Sequence, residues 1–100
     1  MITCTRWQPY EKNTLRGFAD LYMDKVGMTI RDCTFHEKGD KAWVAFPSAP
    51  MMKNGGLVKD DEGKTVYTKP FVSFDEKMAE RFRDAAVAAI RAKIGELAAA

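Results

Sequence analysis

Apolar and polar residues alternate with period two through the first half of the chain, and recur every three to four residues through its last quarter. Thr14 to Met23 shows the alternation most clearly. Leu15, Gly17, Ala19, Leu21 and Met23 fall on one side, and Arg16, Phe18, Asp20 and Tyr22 on the other. Successive side chains of a strand point to opposite faces, so the first set belongs to a core and the second to an outer surface. Ile2 to Trp7 reads as a short strand before it, ended by Pro9, with a turn over Pro9–Asn13. Asp24–Lys25–Val26–Gly27 closes a hairpin onto a third strand, Met28 to Phe35. There Met28 and Ile30 share one parity while Cys33 and Phe35 share the other. That change of phase predicts a bulge near Arg31–Asp32.

A polar turn follows over His36–Lys41, with Gly39 suited to positive φ. Ala42 to Phe46 is apolar throughout and predicts a fourth strand in a central position. Pro47 and Pro50 end it. The segment 48–63 reads as a long loop containing Asn54–Gly55–Gly56, or as a loose hairpin around Gly63. A short fifth strand is expected over 64–71, where Pro70 suits an edge.

From Ser73 the period becomes helical. Ser73 and Glu76 have capping-box spacing, and Met78, Phe82, Ala85, Ala86, Ala89, Ile90 and Lys93 form one stripe. The helix is expected over about 74–94, with Gly95 as its C-cap. One helix covers one face of a sheet. The expected fold is therefore a single α+β domain over 1–100. It has a small antiparallel sheet of four to five strands and a C-terminal helix, and it forms a homodimer. Phe18, Tyr22, Trp43 and Phe46 are the expected interface. The alternative is that these aromatics form a satellite core under the long loop.

A chain of 100 residues with 46% hydrophobic and 30% charged residues is an ordinary globular domain, not a disordered one. Its net charge of +2, from 16 basic and 14 acidic residues, excludes a histone-like protein. Ile2–Thr5 is too short and polar for a secretory h-region, so a cytoplasmic location is expected and Cys4 and Cys33 are expected as free thiols. No run of eighteen apolar residues is present, so no membrane partner is expected.

Little in the sequence suggests catalysis, and no enzymatic activity or cofactor is expected. Cys33 and His36 are three apart along a strand and turn, which sends them to opposite faces. Two cysteines and one histidine so placed do not supply a metal site. Asp60–Asp61–Glu62 lacks the ligand spacing of a calcium loop and reads as a solvated turn. Asn54–Gly55–Gly56 lacks a following Gly-Lys-Ser/Thr, so it is not a phosphate-binding P-loop but a flexible loop. Asp20, Asp24 and Asp32 could meet across the hairpin, and Arg16, Lys25 and Arg31 would pair with them at the surface.

Nucleic-acid binding has more support. Residues 38–72 hold six basic and four acidic side chains, the whole net excess. Lys53, Lys59, Lys64 and Lys69 are candidate phosphate contacts there, and the helix offers Lys77, Arg81, Arg91 and Lys93, balanced by acids. Contacts of this kind give affinity with little sequence reading. Phe18, Tyr22, Trp43, Tyr67 or Phe71 could stack exposed bases if the sheet face is open.

The stretch Thr29 to Pro50, T-I-R-D-C-T-F-H-E-K-G-D-K-A-W-V-A-F-P-S-A-P, resembles the stage V sporulation protein G (SpoVG, septation protein) family. The similarity lies in Ile30–Arg31, the turn at Gly39, and Val44–Ala45–Phe46–Pro47–Ser48. Leu15 to Ala19 and the helix after Pro70–Phe71 extend it over residues 1 to 93. The resemblance implies an α+β homodimer that regulates by binding DNA, or RNA, with low sequence specificity. It also implies basic contacts at the helix start, here Lys77, Arg81 and Arg83. Two departures stand out: Lys69 precedes Pro70 where the family commonly has histidine, and the helix is charge-balanced and alanine-rich; the segment 51–64 is also longer. A protein-interaction module without nucleic-acid binding is the alternative reading.

Overall fold

A computed structural model describes residues 1–68 and 73–99. Four antiparallel strands form one sheet in the order β1 (Ile2–Lys12), β2 (Leu15–Met23), β3 (Met28–Lys38), β4 (Lys41–Ala45). A two-stranded ribbon, β5 (Met52–Lys53) and β6 (Gly56–Leu57), follows, and then helix α1 (Glu76–Ala99). The fold is α+β, with the helix laid across one face of the sheet.

The alternation in β2 has the predicted result. Ala19 and Leu21 are fully buried beneath Phe82, Ala86 and Ile90 of α1, together with Cys4, Ile30, Cys33 and Phe35. Cys33 is a small core residue, and both cysteines are free thiols. Phe46, Phe74 and Phe82 close the core, with ring centroids 5.0–5.7 Å apart. Gly17 lies directly beneath the indole of Trp7, which meets Phe35 edge-on at 5.8 Å.

The predicted bulge is present. Ala19 faces Cys33 while Leu21 faces Ile30, so Arg31 and Asp32 share the place opposite Asp20. Asp32 takes φ +58°, a left-handed conformation that Asp tolerates better than most residues. A second bulge, at Thr5 of β1, flanks Asp20 from the other side.

Several boundaries differ from the sequence reading. β1 runs through Pro9 to Lys12, because β1 is an edge strand and a missing N–H there costs no ladder bond. β4 is also an edge, not a central strand. Its apolarity arises because both faces are used: Ala42 and Val44 pack on the core, while Trp43 stacks on His36. A bulge at Arg16 brings Leu15 opposite His36, so Leu15 leaves the core side for the outer face. The expected fifth strand over 64–71 is not continuous. Thr65 and Tyr67 make only isolated bridges, to Lys59 and Pro50, and residues 69–72 lie outside the described ones.

Asn54–Gly55, read as a flexible loop, is instead the tight turn joining β5 to β6. Both residues take positive φ, +52° and +77°, as a two-residue hairpin requires. Asp75, not Ser73, caps α1: its carboxylate accepts from the Met78 N–H at 2.9 Å. The helix also passes through Gly95 to Ala99, carried by Leu97, Ala98 and Ala99, which are strong helix formers.

Residues 49–68 fold into an arm. Met51 N–H donates to Val66, Val58 to Met51, and Val66 to Val58. Two bonds between Ala49 and Thr68, at 2.8 and 3.2 Å, fasten its base. The arm extends the molecule to 45 × 29 × 24 Å and raises the radius of gyration to 14.9 Å. A compact domain of this length has about 13 Å.

Candidate functional site

The face of the sheet away from α1 carries Gln8 and Tyr10 from β1, Leu15 and Phe18 from β2, Thr34 and His36 from β3, and Trp43 and Ala45 from β4. Phe18 is half-buried against Tyr10, with ring centroids at 5.9 Å. The arm leans over one end of this face. Between them lies a cleft of about 770 Å³, bordered by Gln8, Phe18, Asp32, Thr34, Ser48 and Tyr67. That is within the range of about 300–1,000 Å³ usual for ligand sites. Phe18 and Tyr67 are the cleft's aromatic residues from the sheet and the arm, and Tyr67 is 57% exposed.

An ionic node fixes one border of the cleft. Arg6 forks onto Asp20, with Nε–Oδ2 and Nη2–Oδ1 both 3.0 Å, and reaches Asp32 Oδ1 at 2.6 Å. Asp20 Oδ1 also accepts from the Asp32 N–H at 3.0 Å, which pins the bulge. The hydrogen bond from Arg6 holds the Asp20 carboxyl below the usual carboxylate range, against the opposing effect of burial. Arg6 is therefore the partner of these carboxylates, rather than Arg16 or Arg31. Asp24 is drawn away to the Met1 amine at 2.6 Å. Arg6 Nη1 also donates to Gln8 Oε1 at 3.1 Å, which leaves the Gln8 amide nitrogen free to donate, and Gln8 borders the cleft.

The other end of the face carries three lysines, with Glu11, Glu37 and Asp40 next to them in sequence. The β1–β2 and β3–β4 turns lie at the same end of the meander, because consecutive antiparallel strands reverse direction. Lys12, Lys38 and Lys41 gather there, all exposed, with Lys38 and Lys41 directly opposite in register. Among the described residues none of the three makes an ion pair. Beside them the His36 and Trp43 rings stack at 5.4 Å with 3° between planes. Thr14 and Thr34 hydroxyls meet the two His36 nitrogens at 3.1 and 2.9 Å. Burial pushes the His36 pKa down, so the ring is neutral near pH 7, and each hydroxyl can donate or accept as the tautomer demands.

The candidate residues named from sequence separate into groups. Lys53, Lys59 and Lys64 lie exposed on the arm, where Asp60, Asp61 and Glu62 balance them. Lys59 Nζ donates to Thr65 Oγ1 at 2.9 Å, and Lys64 lies 3.6 Å from Glu62. Lys69 is outside the described residues. Lys77, Arg81 and Arg83 are on α1, in the opposite layer from the cleft. Glu76 and Glu80 flank Lys77, and Arg83 meets Asp84 at 3.2 Å. Phe18, Tyr22 and Trp43 share the outer face as expected. Phe46 turns inward to Phe82 at 5.0 Å, although part of it borders the cleft.

Sequence reasoning passed over Lys12, Lys38, Lys41, Gln8 and Thr34. The readable signal was the pair of hairpins, which puts residues flanking alternate turns at one end of the sheet. Among the described residues no group of three or more His, Cys, Asp or Glu could hold a metal ion, and no helix is long and apolar enough to cross a membrane. No protein-family model, curated protein or solved structure matches this chain.

Proposed function

We propose that this protein binds nucleic acid through the outer face of its sheet, with low sequence specificity, and serves in regulation. The observation that carries the reading is the continuity of that face. It runs from Lys12, Lys38 and Lys41, which make no ion pair among the described residues, past the His36–Trp43 stack, to the aromatic cleft at Phe18 and Tyr67. Lysines suit phosphates, and flat rings suit bases, whose stacking tolerates any sequence. The resemblance of Thr29–Pro50 to the stage V sporulation protein G family points the same way, and the arm lysines Lys53 and Lys59 would extend the contact. The helix-start residues Lys77, Arg81 and Arg83 contribute less in this reading, since neighbouring carboxylates offset them.

The test is fluorescence-polarisation titration of a short labelled DNA and its RNA counterpart at about 50 and 200 mM salt. Three phosphates neutralised by Lys12, Lys38 and Lys41 give a log–log salt slope of about −2 on a single strand. Charge reversal at Lys38 and Lys41 together weakens binding and flattens the slope. Salt-independent binding, or none at low salt, removes the reading.

A second reading has its own observation. Met51, Met52, Leu57 and Tyr67 leave the arm apolar and 40–59% exposed, as at a protein-binding surface. Here a second copy or another protein covers Phe18, Tyr22 and Trp43, as the sequence led us to expect of a homodimer. Sedimentation equilibrium separates the two: a dimer dissociated by Phe18→Ala favours this reading.

A further inference from the structure

We infer that the cleft between the sheet and the arm holds one unpaired base of a single strand, and prefers a base that carries an amino group. The inference rests on the nucleic-acid reading above and adds the form of the ligand. Three observations lead to it.

First, the cleft is recessed. Its floor is the sheet at Phe18 and Thr34, and its roof is Tyr67 with Ser48 at the base of the arm. The arm is closed on itself by the Ala49–Thr68 bonds and by the Met51–Val66 bond at 2.7 Å. A base within a duplex is stacked on both sides and cannot enter a recess of this kind. An unstacked base of a single strand can, and it exposes its pairing edge when it does.

Second, the walls have the two chemistries that a base needs. Phe18 and Tyr67 offer ring faces. The polar border supplies the Gln8 amide donor and two hydroxyls, Thr34 and Ser48.

Third, the border has one fixed anionic acceptor. Asp32 Oδ1 is engaged by Arg6, and Oδ2 has no protein partner among the described residues. The Asp32 N–H bond to Asp20 holds the backbone that carries it. A carboxylate accepts from the amino group of cytosine, whereas thymine and uracil present carbonyl oxygens on either side of their one ring N–H. Those oxygens meet a carboxylate unfavourably. The Asp32 side chain is 70% exposed, so solvent weakens the discrimination to a few-fold preference.

The experiment compares labelled oligo-dC, oligo-dT, an abasic backbone of equal length and a duplex at about 50 mM salt. Wild type is titrated beside Phe18→Ala, Tyr67→Ala and Asp32→Asn. Asparagine tolerates the positive φ of Asp32 and keeps an oxygen for Arg6, so that variant retains the bulge. Thermal melting confirms that each variant is folded. The inference expects oligo-dC to bind a few-fold tighter than oligo-dT and about tenfold or more tighter than the abasic strand. Either aromatic truncation costs oligo-dC about tenfold, and Asp32→Asn removes the preference over oligo-dT. Equal binding of oligo-dC, abasic strand and duplex overturns the inference and leaves a phosphate-reading protein. No binding to any of the four overturns both this inference and the reading on which it rests.

Discussion

Replacing Gly17 by alanine adds one methyl group, and the structure says where it goes. The new Cβ lies 2.5 Å from the Gln8 carbonyl oxygen and 2.5 and 2.8 Å from Cη2 and Cζ2 of the Trp7 indole. The glycine is not in the left-handed region, so the whole effect arises from space and not from backbone strain. The indole could swing aside at the expense of its edge contact with Phe35. The carbonyl belongs to β1 opposite, and can retreat only by opening the β1–β2 pair. Overpacking costs about 1–3 kcal/mol and loss of an aromatic pair about 0.5–1.5 kcal/mol. Against them stands a gain of about 0.4–1 kcal/mol from a stiffer unfolded chain. The net destabilisation is about 1–4 kcal/mol.

In a domain of this size each kcal/mol moves the melting temperature by about 4–8 °C, so a fall of roughly 4–30 °C is expected. Urea melts give the free energy, and near-ultraviolet circular dichroism in a Trp43→Phe background isolates Trp7. Gly95→Ala is the matched control. It lies in α1 with nothing near its added methyl, so the same chemical change there stabilises by about 0.5–1 kcal/mol. If Gly17→Ala melts within about 0.5 kcal/mol of the parent, or the Trp7 signal is unmoved, the packing argument is wrong.

Three further expectations follow from the same geometry. Asp20→Asn removes the carboxylate that Arg6 and the Asp32 N–H hold below its ordinary pKa; the stabilisation it confers is present above the unfolded value of about 3.9 and is lost as pH falls through the folded value. Wild type is therefore more stable than the variant at neutral pH and converges on it in acid, and parallel stability–pH curves would contradict this. Cys33 is fully buried with its thiol pushed up to about 12, first by burial and then by Asp20, so a thiol reagent leaves it unlabelled in native protein at pH 8 and labels it in urea; prompt native labelling refutes the placement. Asp75→Ala lowers stability by about 1 kcal/mol in chemical denaturation while Ser73→Ala changes it little, and the reverse order would restore Ser73 as the cap.

The sheet was legible because burial imposes period two wherever one face meets a core. Leu21 and Cys33 show this, as does the phase change that located the bulge at Asp32. Edge position was not legible. Pro9 and the apolar run Ala42–Phe46 pointed the wrong way, since strand order is decided by pairing between distant segments. The cap was misplaced by two residues because Ser73 and Asp75 are both good caps, and only the approach of Phe74 to Phe46 and Phe82 selects between them. Of the site, the aromatics Phe18 and Trp43 were visible as the polar-side residues of apolar strands. The lysines were not, because Lys12 is 26 residues from Lys38 and only the register of two hairpins brings them to one end.

That division bears on how this fold can carry a function. Every position that α1 contacts on the sheet is constrained by packing, and the helix has little exposed chemistry that its own carboxylates do not balance. The outer face has no such duty. It carries the Arg6–Asp20–Asp32 node, where β1 and β3 are both bulged around a carboxylate that is 9% exposed. The bulge frees the Asp32 N–H for Asp20 and brings the Asp32 carboxylate to Arg6. It also sets the direction of Asp32, whose side chain it turns toward the cleft beside Gln8. Local irregularity of this kind in a strand commonly re-aims a side chain. Under the proposed reading, the bulge links the stability of the outer face to the preference for oligo-dC. Asp20→Asn should reduce the oligo-dC preference along with the acid-sensitive part of stability, although Asp20 itself is not among the residues bordering the cleft. A variant that lost the one and kept the other would break the link.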